Sequence, residues 1–93
     1  METNHMEITF VSHAMPKVTA MGTVSFQAIV DSQYLWCEIS WEALRDHFYA
    51  RSLEKDDLLD AFHIGRAKIE QTARQHLEAI DGHPVLLMTT DFA

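Results

Sequence analysis

The stretch from Asp56 to Ile80 constrains the fold more than any other part of this 93-residue chain. At helical spacing, Leu58, Ile69, Ala73 and Ile80 fall within about 40° of Phe62, so they form one apolar stripe. Leu59 and Leu77 widen it on one side, Gly65 and His76 on the other. Asp56, Asp57 and Asp60 crowd the expected first turns and Arg74 and His76 the last ones, as the helix dipole favours. Asp81-Gly82 supplies a stop and Pro84 prevents continuation. A helix of this length must bury its stripe against something else. In so short a chain that partner is a sheet built from the remaining residues.

The rest of the chain provides such a sheet. Ile8 and Phe10 alternate with Glu7 and Thr9, which predicts a first strand over residues 7–11. Val24, Phe26, Ala28 and Val30 alternate through residues 23–30, and residues 33–39 return after a turn at Asp31-Ser32. Ser40 is positioned to cap a short helix from Trp41 to about Tyr49, with Ile39 and Leu44 as its hydrophobic staple. Residues 85–90 read as a last strand, and residues 12–21, around Pro16, as a loop. The expected architecture is therefore α+β, one domain over residues 1–93. It is two-layered, with an antiparallel sheet of three to four strands, two helices on one face and the order β-β-β-α-α-β. Roughly two-thirds of the surface of a chain this size can be buried, enough for a core without disulfides.

Two helices leave one side of such a sheet uncovered. Tyr34 and Trp36 lie on that side of the hairpin, and the last strand is apolar on both sides, through Leu86 and Met88 as well as Val85 and Leu87. These four residues, Tyr34, Trp36, Leu86 and Met88, are the expected interface, with a homodimer as the first expectation and an unidentified protein partner as another. The competing reading has the loop over residues 12–21 folded across that face.

Charge and motifs limit the remaining functions. Seven basic residues against fourteen acidic ones give a net charge of −7, which opposes nucleic-acid binding. That also weakens a reading of Tyr34 and Trp36 as an RNA-stacking platform. The N-terminal residues lack the pattern of a signal peptide, and no apolar run is long enough to span a bilayer. The lone Cys37 excludes an internal disulfide. A cytoplasmic protein without membrane attachment is expected.

His5, His13, His47, His63, His76 and His83 show no close ligand pairing, so no metal and no cofactor is expected. His76 is read as a core-edge histidine bonded to Thr72 or a backbone carbonyl. Cys37 alternates with Leu35 and Ile39 towards the helices, where a thiol is a small hydrophobe. No nucleophile elbow, phosphate loop or zinc-protease motif is present, so no catalytic residue is assigned and enzymatic activity is disfavoured. The alternative is a small-ligand-binding or enzymatic cleft near Arg66, His63 and Tyr49. Arg66 sits about 40° from the centre of the stripe, so its stem is expected to be buried while its head pairs with Asp91 or another carboxylate. Gly65 beside it marks a close backbone approach, read as helix-to-sheet packing.

Taken in order, residues 24–30 (VSFQAIV), 37–48 (CEISWEALRDHF), 58–62 (LLDAF), Arg66, Ile69, Glu70, Ala73 and 85–92 (VLLMTTDF) resemble the bacterial domain-of-unknown-function 1488 family. Ile8 and Phe10 are similar to its opening strand, and residues 12–21 and 52–57 match least. The resemblance implies a compact α+β structure and no established activity, so it transfers no catalytic residue. It singles out Ser40, Leu44, Phe48, Phe62, Ile69 and Ala73, which the periodicity already places in caps and core, with Arg66 and Asp91 as polar exceptions. The function expected is that of a non-enzymatic accessory or regulatory protein acting through protein–protein binding.

Overall fold

A computed structural model describes residues 6–11, 15–80 and 83–92. The expected stop at Asp81-Gly82 and the side chains of His5 and His13 lie outside the described residues. Five strands, β1 (Ile8–Phe10), β2 (Lys17–Val18), β3 (Val24–Val30), β4 (Gln33–Ile39) and β5 (Leu86–Leu87), form one sheet. Two helices, α1 (Trp41–Phe48) and α2 (Lys55–Ala79), cover one face of it, and a 3₁₀ turn, Thr89–Phe92, closes the chain. The fold is α+β, as the residue patterns imply.

β3 and β4 are the backbone of the sheet and pair antiparallel along their full length, from Val24 opposite Ile39 to Val30 opposite Gln33. Both residues of the connecting turn take left-handed conformations, Asp31 at φ 49° and Ser32 at φ 73°. Such a two-residue turn matches the twist of the strands, and it normally favours Gly at its second position. Asp31 is held there by its own side chain, whose Oδ1 accepts from the Glu7 N–H at 2.9 Å.

Beyond β3 the loop assigned to residues 12–21 contains β2, which pairs with β3 through Lys17 opposite Ser25 and Val18 opposite Val24. β1 pairs with the other end of the same edge, Ile8 opposite Val30. The described part of the loop thus extends the sheet sideways and does not fold across its open face.

At the opposite edge β5 runs parallel to β4, Ile39 opposite Leu87. The expected sheet was antiparallel throughout. Parallel neighbours need a long crossover connection, and α1 with α2 supplies it. The strand expected over residues 85–90 is also shorter. The Met88 N–H donates to Asp91 Oδ2 at 2.7 Å, and the Asp91 N–H donates to the Met88 carbonyl at 3.0 Å. These local bonds turn the chain out of the ladder, the usual competition between an Asp side chain and secondary structure.

The helices form where their caps and stripes place them. Ser40 Oγ accepts from the Ala43 N–H at 3.1 Å, while Ile39 and Leu44 are both fully buried. α1 ends at Tyr49, left-handed at φ 70°, with the Ala50 N–H bonded to the Leu44 carbonyl at 3.1 Å. α2 buries Leu58, Ala61, Phe62, Gly65, Ile69, Thr72, Ala73 and Leu77. Ala61 and Thr72 extend the predicted stripe on the side of Gly65. A Cβ at Gly65 would collide with the Phe48 ring, so this glycine exists for helix-to-helix contact, where helix-to-sheet packing was expected. Between the layers lie Val24, Phe26, Ala28, Cys37 and Ile39 from the hairpin and Phe62 from α2, with the Phe26 and Phe62 ring centroids 5.2 Å apart.

Candidate functional site

The alternation of the hairpin puts two chemistries on its two faces. Val24, Phe26, Ala28, Cys37 and Ile39 point at the helices and are buried. Ser25, Gln27 and Ile29 of β3 and Tyr34, Trp36 and Glu38 of β4 point the other way. No described helix covers this second face. Tyr34 is 63% exposed, Trp36 43% and Leu86 of β5 49%.

The pairing register arranges this face in rows. Thr9, Ile29 and Tyr34 form one; Gln27 and Trp36 the next; Lys17, Ser25, Glu38 and Leu86 the third. Lys17 Nζ reaches across β3 to within 5.6 Å of the centre of the Trp36 ring, a cation–π contact. Glu38 accepts a hydrogen bond from the Thr23 hydroxyl, which is itself linked to Thr19 Oγ1 at 2.6 Å. The three β4 side chains are therefore two aromatic rings and an anchored carboxylate, flanked by one cation.

Of the four residues expected at an interface, Tyr34, Trp36 and Leu86 share this face. Met88 is also exposed, but it lies beyond β5, where its N–H caps the closing turn.

Arg66 and Asp91 do not pair. Arg66 Nε binds Glu70 Oε2 at 2.8 Å, one helical turn along, and its Nη2 donates to the Val11 carbonyl at 3.4 Å. The i,i+4 carboxylate is reached without bending the chain, so it takes the guanidinium. The Arg66 side chain is 24% exposed, and its guanidinium lies 5.4 Å from the centre of the Phe62 ring. Asp91 does tie the C-terminal segment to α2, but through His76, whose Nε2 stands 3.4 Å from Asp91 Oδ1. The expected bond from His76 to Thr72 is replaced by this contact, and Thr72 donates to the Lys68 carbonyl at 2.8 Å instead.

Several further contacts join elements far apart in the chain. Arg74 Nη1 donates to the Ile8 carbonyl at 3.0 Å, which protects a carbonyl on the outer edge of β1. His47 Nε2 meets the Thr89 carbonyl at 3.0 Å, and the Thr89 hydroxyl donates to Asp46 Oδ2 at 2.7 Å. Hydrogen bonds from Arg45 and then Thr89 hold the Asp46 carboxyl below the usual range. Phe92 packs edge-on against Phe48 at 5.2 Å. The contacts of Thr89 and Phe92 pin the closing turn to α1.

Chemistry elsewhere is sparse. Burial pushes the Cys37 thiol up to about 11, which suits a core residue and not a nucleophile. A shallow recess of about 240 Å³ is lined by Tyr49, Arg51, Asp57, Asp60, Ala61 and Ile64. It contains Tyr49 from the cleft expected around Arg66, but neither Arg66 nor His63. Asp57 is already engaged by the Ser52 hydroxyl at 2.6 Å. Among the described residues no group of three or more His, Cys, Asp or Glu is arranged to hold a metal ion. No described helix is long and apolar enough to cross a membrane.

Fold and surface together define a two-layer α+β protein with one helix-covered and one open aromatic sheet face. Residues 4–87 match the family model described as "Protein of unknown function (DUF1488)", and the chain belongs to that family. Comparisons with curated proteins and with solved structures gave no significant match.

Proposed function

We propose that this is a non-enzymatic accessory or regulatory protein of the cytoplasm that works by protein–protein contact through the open face of its sheet. The observation that carries this reading is that Ile29, Tyr34, Trp36 and Leu86 lie on three adjacent strands, on a face that no described helix covers. A sheet side left to solvent is ordinarily polar. An uncovered side with two aromatic rings at its centre is the composition of a contact surface, where Tyr and Trp supply large area for little lost freedom.

The test is site-specific photocrosslinking in living cells. A benzophenone side chain replaces Gln27, in the middle of the face, or Gln71, on the solvent side of α2. Gln27 is expected to yield discrete protein adducts and Gln71 none above background. Equal labelling at both positions, or none at Gln27, removes the reading.

A further inference from the structure

Resting on that reading, we infer that the partner of the open face is a second copy of this chain, docked about a two-fold axis that runs parallel to the strands between β3 and β4. Face-to-face sheets pack with their strands roughly aligned, so such an axis is a natural one. Rotation about it keeps each cross-strand row opposite the same row of the other copy and exchanges β3 with β4. Tyr34 then meets Ile29 of the second copy, Trp36 meets Gln27, and Glu38 meets Ser25.

Shape and charge both select this arrangement. On β4 the open-face side chains Tyr34 and Trp36 stand exposed, while Ser25, Gln27 and Ile29 on β3 are smaller and half-buried. A ridge thus lies beside a lower strip, and the rotation sets each ridge into the other copy's strip. An in-plane axis perpendicular to the strands would instead stack β4 on β4 and bring the two Trp36 rings together. Charge adds direction. Lys17 and Glu38 occupy the same row on opposite sides of β3. The rotation sets Lys17 of each copy opposite Leu86 of the other, one strand from Glu38, so that Lys17 leaves its own Trp36 ring and reaches Glu38 across the interface, giving two symmetric opposite-charge contacts at the rim. The reversed axis places Glu38 in the row of Tyr34 and leaves Lys17 without its opposite charge.

Two measurements on the purified full chain decide the matter. The first is sedimentation velocity over a concentration series reaching the millimolar range. The wild-type chain is expected to dimerise. Lys17→Glu or Glu38→Lys alone should weaken the dimer about tenfold, because each substitution disturbs both symmetric rim contacts at about 0.7 kcal/mol apiece. The double exchange should restore most of the loss.

The second is disulfide trapping, which does not depend on Glu38→Lys folding despite its lost bond from Thr23. Ile29→Cys and Tyr34→Cys proteins are mixed under mild oxidation, with the buried Cys37 as a silent background. The mixture is expected to cross-link faster than either protein alone. A chain that stays monomeric at millimolar concentration overturns the inference, as does preferential self-cross-linking of Trp36→Cys. If Gln27 photo-adducts contain only other proteins, the contact surface stands and the self-association falls.

Discussion

On the helix side of the β3–β4 hairpin, Val24, Ala28, Cys37 and Ile39 are fully buried, whereas on the other side Tyr34 and Trp36 are 63% and 43% exposed. The same fourteen residues of backbone carry both faces, 7 in each strand. Apart from Phe26, which meets Phe62 of α2, the buried helix-side residues are aliphatic or small. The open side carries two large aromatic rings, Tyr34 and Trp36, that no described helix covers, with Lys17 set against the Trp36 ring. Apolar character alone therefore does not define the core here. Being covered does, and the covering is decided by two helices that pack on one side only.

The comparison breaks most visibly at Phe62, which is fully buried against Phe26. Phe62→Ala is expected to cost about 3–5 kcal/mol, a large share of the 5–15 kcal/mol that holds a small protein folded. Urea denaturation measures it directly. A cost near zero would mean that the helix layer is not what separates the two faces.

A second test on the covered side uses pH. The Cys37 thiol ordinarily ionises near 9.0 and in the fold near 11, because burial disfavours the thiolate. Its folded value is raised, so its contribution to stability is complete below pH 9 and is lost as pH rises towards 11. The loss is at most about 3 kcal/mol, two units at 1.36 kcal/mol each. The difference in urea midpoint between the native chain and Cys37→Ala should therefore shrink across that window. A difference independent of pH would place Cys37 in contact with water.

What could be read from the sequence was local, and what could not was relational. The alternation in β3, the Ser40 cap with its Ile39–Leu44 staple and the α2 stripe each depend on neighbours within a few residues. They emerge where the sequence places them, except that Ile80 of the stripe falls at the end of α2 and is 40% exposed. The parallel run of β5 depends on how far the crossover carries the chain, which no residue in β5 encodes.

The same division holds at the site. Tyr34 and Trp36 were legible as one face because strand period is a local rule, whereas Leu86 joins them only through the pairing of β5 with β4. The partners of Asp91 and Arg74 were not, since His76 and Ile8 come from distant elements. The Arg66–Glu70 pair is a local choice and is the other carboxylate that the reading of Arg66 allowed; only its naming of Asp91 fails. The shortened β5 did have a signal in Asp91, three residues after Met88 and able to cap its N–H.

The hairpin turn fixes the register of both faces at once, and it does so with a residue poorly suited to the task. Ser32 sits at φ 73°, where a side chain is strained by about 1–2 kcal/mol. Ser32→Gly removes that strain but frees the unfolded chain, so the expected gain is about 1 kcal/mol, read as a higher urea midpoint. Because the turn sets which residues face which side, a loss of stability would show that the register depends on the Ser32 side chain. That would move the origin of the two-faced hairpin from its strands to its turn.

The smallest expected effect on folding is also the sharpest test of the open face. Tyr34→Thr keeps a residue that favours strands and removes a ring that is mostly in solvent. Its effect on the stability of the monomer should stay within about 0.5 kcal/mol, as for surface positions generally. Its effect on association should be far larger, because in the docked arrangement the ring sits on Ile29 of the second copy. The two quantities separate cleanly in urea melts at low concentration and sedimentation at high concentration. If the variant loses several kcal/mol of monomer stability, Tyr34 belongs to the fold after all and the contrast between the two faces collapses. If it folds like the native chain and no longer associates, the exposed ring has its use outside its own protomer.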